Sequence, residues 1–197
     1  MKIVVLISGS GSNLQAIMDA CQSGYIAGQV VGVLSNKADA YGLVRAQQAG
    51  INTAIINHKE FATRQDFDLA MQKIIDAWQP DVVVLAGFMR ILTPAFVQHF
   101  EGKLINIHPS LLPLYKGLHT HQRVLATGDK LHGCSVHFVN AELDGGAVIA
   151  QAVLTVAANE AEQSLIQRVH KLEHIIYPLV LNWLSYGRLS YQQGLPV

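Results

Sequence analysis

Five short apolar runs, at 3–7, 30–34, 53–56, 82–85 and 104–107, are each followed by a segment with a different rhythm. The runs are nearly continuous in Val, Ile and Leu, so neither side of them suits water. A strand of that kind belongs in a parallel sheet covered on both faces. Helical spacing at 13–22, 43–49, 64–78 and 94–100 separates the runs, and strand–helix alternation implies right-handed crossovers. Thr63 with Asp66 forms a variant capping box, and Thr93 before Pro94 reads as an N-cap followed by proline at the first helical position.

Beyond residue 107 the style changes. "HPSLLPLYKGLHT" has little periodicity and reads as a long loop, followed by a short helix over 120–127. "CSVHFV" and "AVIAQAVLTV" read as strands of a hairpin joined by "NAELDGG". An apolar stripe from about residue 162 to 186 predicts a long closing helix, with Pro178 expected to kink or split it near Tyr177. The fold class is therefore α/β: a Rossmann-like, open, twisted, mostly parallel sheet with helices on both faces, plus a C-terminal antiparallel hairpin and long helix. One domain over 1–197 is expected, with a phosphate-binding half at 1–100 and a catalytic half at 101–197.

Composition limits the partners. Half of the residues are hydrophobic and only 14% are charged, enough apolar surface for a large core. Lys+Arg and Asp+Glu both number 14, and no basic run occurs, which speaks against a nucleic-acid or membrane-surface binder. No signal-peptide pattern or apolar span is present, and Cys21 and Cys134 read as thiols of a reducing cytosol. A cytoplasmic protein acting on small molecules, as monomer or homodimer, is expected.

The first loop, "GSGSN", follows the first strand and opens a helix. A dinucleotide fingerprint would need a third glycine where Leu14 stands, and "LSNKAD" puts no acidic residue at the tip of the second strand for a ribose. A single phosphate fits better, because Gly9 and Gly11 permit close approach while Ser12 and Asn13 sit at a helix N-terminus. A plain packing turn is the alternative. Asn106 and His108 lie two apart at the carboxyl end of the fifth strand, so both point to one face, on the edge that the first loop also leaves. Asp144, in "ELDGG", is either a turn residue or a carboxylate that orients the His108 ring and favours its charged form. "HKLEH", from His170 to His174, matches an inverted zinc-peptidase motif, but no carboxylate follows Glu173, so no metal is expected. Arg64 and Arg90 are either surface charges or site residues.

Together these stretches resemble the folate-dependent glycinamide ribonucleotide formyltransferases of purine biosynthesis. The resemblance runs through "VLISGSGSNLQAI", "PDVVVLAGFMRIL", "NIHPSLLP", "SVHFVNAELDGG" and "EHIIYPLV". It implies formyl transfer from 10-formyltetrahydrofolate, a co-substrate, to the amine of a ribonucleotide, without metal. By the same resemblance, Gly11, Ser12 and Asn13 would hold the phosphate, with His170 and Glu173 on the rest of that substrate. Arg64, Met89, Arg90, Ile91 and Leu92 would line the folate pocket with Asn106, Asn140, Leu143 and Asp144. Asn106, His108 and Asp144 would be the catalytic trio. Lys116 stands where the family usually has proline, and Leu114 where a basic residue is common. Another formyl-folate transferase or hydrolase, or a non-catalytic phosphate-binding module, are the rival readings.

Overall fold

Strand β1 (Lys2–Ile7) sends Ile3, Val5 and Ile7 into one apolar core and Val4 and Leu6 into another, all wholly buried. The computed structural model describes every residue, Met1–Val197. After β1 come α1 (Ser12–Gln22), β2 (Gln29–Ser35), α2 (Tyr41–Gln48) and β3 (Asn52–Ile55). A 3-10 turn (His58–Glu60), α3 (Arg64–Ala77), β4 (Val82–Leu85), α4 (Pro94–His99) and β5 (Leu104–His108) complete the alternating part. Then follow α5 (Thr120–Thr127), β6 (Leu131–Phe138), β7 (Val148–Thr155), α6 (Glu162–Ser185) and a small pair, β8 (Tyr191–Gln192) and β9 (Leu195–Pro196).

The main sheet has seven strands in the order β3-β2-β1-β4-β5-β6-β7. The first five run parallel, and β6 and β7 pair antiparallel to β5 and to each other. Helices α1, α2 and α6 cover one core, and α3 and α4 the other. The Thr63 hydroxyl accepts the Asp66 N–H at 3.1 Å, and Thr93 accepts from Phe96, so both caps form as the sequence indicates.

One expectation needs correction. Helix α6 runs unbroken through Pro178, which lies buried inside it. The Pro178 ring removes one ladder donor, but Ile176, Tyr177, Val180 and Leu181 are all buried, and their packing holds the last turns in line. The chain after Tyr191, which carries no clear sequence signal, forms the β8–β9 pair, and Tyr191 packs edge-on against Phe138 at 4.8 Å.

Tyr177 ties the long helix to the middle of the sheet. Its ring is wholly buried, and its hydroxyl donates to Leu85 O at 2.9 Å, at the end of β4, and to Ile105 O at 3.1 Å, near the start of β5. Burial pushes this phenol well above its ordinary range, so it stays a donor. Tyr177→Phe is expected to destabilise by about 1–3 kcal/mol, seen as a lower urea midpoint at unchanged slope. An unchanged midpoint would show that the bridge contributes nothing.

Candidate active site

The order in which strands are added reverses between β1 and β4: from β1 the strands progress outward through β2 and β3, and on the other side through β4 and β5. Such a switch point opens a crevice beyond the carboxyl ends of the two strands. Buried Ser8 stitches its floor, since its hydroxyl donates to Asn36 Oδ1 at 2.6 Å and accepts the Met89 N–H at 2.8 Å. The glycine loop thereby meets the 86–92 loop.

Gly11 turns the chain at φ +70° and serves as the N-cap of α1, with no side chain capping the helix. The N–H groups of Gly11, Ser12 and Asn13 bond to nothing in the protein. Three free amides on a helix N-terminus form a cradle for an anion. Asn13 is buried, and its amide donates to Glu173 Oε2 at 2.8 Å, while its Oδ1 has no partner. Burial of Glu173 raises its carboxyl above the usual range, and the Asn13 bond opposes that shift. The structure thus joins two residues 160 positions apart. Within "HKLEH", His170 is exposed and stacks on His174 with ring centroids 6.3 Å apart, while Glu173 points to Asn13. No group of three His, Cys, Asp or Glu side chains is arranged to hold a metal ion.

His108, Asp144 and Asn106 converge across the crevice. His108 Nδ1 lies 3.4 Å from Asp144 Oδ2, and both side chains are 8% exposed, so solvent screens the pair weakly. The other ring nitrogen, Nε2, is 2.9 Å from Tyr115 O. Each ring nitrogen thus has a protein oxygen within 3.4 Å. Asp144 Oδ2 also accepts the Gly117 N–H at 2.9 Å, which fixes the loop after β5 to the β6–β7 connection. Tyr115, His119 and Asp144 all have positive φ, at 54°, 57° and 47°. Backbone held in this sparsely populated region costs on the order of 1–3 kcal/mol per residue and gathers around functional sites.

Asn106 approaches a residue that sequence reasoning missed. Its Nδ2 is 3.1 Å from Nε2 of His137, which sits directly opposite on β6. The His137 Nδ1–H donates to Phe138 O at 2.8 Å, leaving Nε2 as acceptor. Burial lowers the pKa of His137, in keeping with that neutral tautomer. One N–H of the Asn106 amide is thus spent on His137 and the other is left. Ser135, paired with His108, lies within β6 without the elbow of a nucleophile; its hydroxyl donates to Ser110 O at 2.6 Å and accepts from Leu112 N and Gln151. The available signal was polar residues two apart in "CSVHFV", but it gains meaning only with the antiparallel register.

The other expected residues lie on the 86–92 loop, on the β6–β7 connection and at the start of α3. Met89, Ile91 and Leu143 are apolar side chains more than half exposed on the first two. Arg90 and Leu92 are half-buried in the same segment, and Asn140 is exposed beside Leu143. Arg64 starts α3 and is exposed; that turn is tied to the segment by Asp68, which accepts the Thr93 N–H at 2.7 Å. No hydrogen bond or ion pair joins Arg64 to the trio.

Fold and crevice together define an α/β enzyme with its functional groups at the switch point of a Rossmann-like sheet. Comparison with known proteins makes the class definite. The model of the formyl transferase family matches residues 1–181. A phosphoribosylglycinamide formyltransferase from Escherichia coli K12 is 58% identical over 98% of this chain and 92% of its own. The structure of phosphoribosylglycinamide formyltransferase from Coxiella burnetii superposes with a TM-score of 0.95 at 55% identity, covering 100% of this chain and 92% of that one. Glycinamide ribonucleotide transformylase 1 from Symbiobacterium toebii gives 0.96 at 41% identity, again over 100% of this chain and 92% of that one. The chain belongs to the formyl transferase family and is a transferase.

His132 adds a pH signature. It is buried on β6, its Nε2 is 3.1 Å from His121 Nδ1, and its Nδ1 has no partner. Burial, then the nearby His121 and His108, bring its pKa from 6.5 down to about 4. The folded-state value lies below the unfolded one. Stability is therefore full above pH 6.5 and falls as pH drops toward 4, where the unfolded chain takes the proton first. Urea midpoints on either side of that window should fall less in His132→Gln than in the wild type. An equal fall would show that position 132 is not responsible.

Proposed function

We propose that this enzyme transfers the formyl group of 10-formyltetrahydrofolate to the amine of phosphoribosylglycinamide, a step of purine biosynthesis. The observation that carries the reading is the presence, at one edge of the sheet, of a cradle of free amides and the largely shielded Asn106–His108–Asp144 group. A non-catalytic phosphate binder would have use for the first and none for the second. In the proposal, the amides of Gly11, Ser12 and Asn13 take the substrate phosphate. Glu173, with the unpartnered Asn13 Oδ1 beside it, takes the polar groups of the ribose and glycinamide, and His170 flanks that end. The apolar pteridine and benzoyl parts of the folate lie along Met89, Ile91, Leu92 and Leu143, with Asn140 beside them and Arg64 and Arg90 toward its carboxylates. The division at about residue 100 then leaves the phosphate cradle in the first half and the catalytic trio in the second. The protein acts in the cytoplasm, as monomer or homodimer.

The chemistry follows from these placements. The amine lone pair attacks the formyl carbon, and the carbonyl oxygen becomes an oxyanion. The free N–H of Asn106 and the His108 imidazolium stabilise it, the formyl oxygen replacing the Tyr115 carbonyl as acceptor of Nε2–H. One preorganised donor of this kind is worth roughly 2.7–4 kcal/mol. The amine proton passes to Asp144, directly or through water, and is returned to folate N10 as the bond from the formyl carbon to N10 breaks. No covalent enzyme intermediate is needed, because holding both substrates in line supplies much of the rate.

The deciding assay supplies formyl-folate with phosphoribosylglycinamide or with methionyl-tRNA as acceptor, and turnover of the ribonucleotide alone is expected. His108→Ala should lower kcat by about a hundredfold or more. Asn13→Ala should raise KM for the ribonucleotide and leave that for the folate near the wild-type value. Equal rises in both would contradict the phosphate assignment, and a chelator that abolished activity would contradict the metal-free mechanism.

A further inference from the structure

The carbonyls of the glycine loop are held from behind by helix α2. The Gly42 N–H donates to Gly9 O at 3.1 Å, and Arg45 Nε donates to Ser10 O at 2.9 Å. Arg45 also donates through Nη1 to Gln15 Oε1 on α1 at 3.1 Å, and its guanidinium lies 4.9 Å over the Tyr41 ring. It forms no ion pair with any carboxylate. The loop and helix touch backbone to backbone. A Cβ on Gly11 would lie 2.6 Å from Gly42 Cα, and a Cβ on Gly42 would strike Ile7 Cδ1 at 2.4 Å.

A trans peptide is planar, with its C=O and N–H pointing in opposite directions. Fixing the Ser10 carbonyl toward α2 therefore aims the Gly11 N–H the other way, into the crevice. We infer that Arg45 is a positioning residue for the anion cradle: by clamping the Ser10 carbonyl it orients the Gly11 amide toward the phosphate of the acceptor substrate. The Gly9 carbonyl, held by the Gly42 N–H, aims the Ser10 amide in the same manner. Arg45 is suited to this because its planar fork reaches two acceptors on different elements and its stem packs beside Gly11, with Cδ 3.6 Å from where a Gly11 Cβ would stand. A surface arginine kept only for solubility would have no reason to spend its donors on a loop carbonyl and a neutral amide. The inference rests on the phosphate reading of the loop proposed above.

Arg45→Met keeps the stem and removes the donors, and Arg45→Lys keeps the charge and loses the fork. Each variant is to be compared with the wild type in kinetics and in a titration with inorganic phosphate followed at the amide resonances of Gly11, Ser12 and Asn13. Arg45→Met should raise KM for the ribonucleotide and the phosphate dissociation constant by about tenfold, the loss of roughly one good hydrogen bond. KM for formyl-folate and kcat should stay within about twofold, since positioning acts on one substrate only. Arg45→Lys should recover part of the loss. Full recovery in Arg45→Lys would overturn the inference in favour of charge alone. A rise of both KM values together with a fall in kcat would overturn it in favour of general destabilisation. Phosphate shifts that are present in the wild type and equally strong in Arg45→Met would overturn the positioning role and leave the phosphate reading standing. Wild-type amides unmoved by phosphate would overturn both.

Discussion

Burial of the parallel strands on both faces governs where anything else can happen. Residues 3–7 of β1 and 83–84 of β4 have no exposed surface at all, and both strands are paired on two sides within the sheet. A ligand can meet polar backbone only where the ladder stops. Because the crossovers leave β1 and β4 in opposite directions, the loops after those strands part and open the one cleft that the topology creates. The glycine loop, the 86–92 loop and the end of β5 all reach this edge as a consequence of the strand order. Tyr177 reinforces the same region from within the larger core, bridging Leu85 and Ile105 just before the chain leaves β4 and reaches Asn106.

The two sides of the crevice use polar groups differently. On the β1 side the candidate groups are backbone amides, and hydrogen bonds from α2 hold the Gly9 and Ser10 carbonyls of the same loop. Little side-chain entropy is lost when a ligand uses them. On the β5 side the groups are side chains, and their orientation comes from a second strand and two loops. His137 on β6 fixes the Asn106 amide, and Gly117 and His108 share one oxygen of Asp144. The low exposure of this cluster strengthens each interaction and raises the cost of leaving any of them unmade. The positive φ of Tyr115 and Asp144 shows that the loops carry strain to bring these groups together.

Lys116 illustrates how one departure from a family pattern is absorbed. Its ammonium pairs with Glu142 at 2.7 Å, joining the loop after β5 to the connection that carries Asp144. Arg123 holds the Lys116 carbonyl at 2.7 Å from α5. The ion pair is exposed and contributes at most about 1 kcal/mol. It runs alongside the Gly117–Asp144 bond, so the two loops are connected twice, once at the rim and once at the trio.

The α/β class was legible because continuous apolar runs alternating with period-3.6 patterns are local properties of the chain. The five parallel strands, the caps at Thr63 and Thr93 and the closing helix all lie within a few residues of their sequence-derived positions. The glycine loop and the Asn106–His108 pair were legible for the same reason: each sits at a strand end marked by a change of rhythm. Assigning them to a formyl-folate enzyme took a resemblance, because spacing does not name a substrate. The neighbours across the sheet were decided only by tertiary structure. His137 faces Asn106 because β6 runs antiparallel to β5 in one register, and a slip of one residue would turn it to the other face. Asn13 meets Glu173 because α6 packs beside α1, and Asp144 meets His108 because a connection with positive φ bends back over the sheet edge. Distances through space between residues remote in sequence are set by the sum of all the packing contacts, and no local pattern encodes that sum.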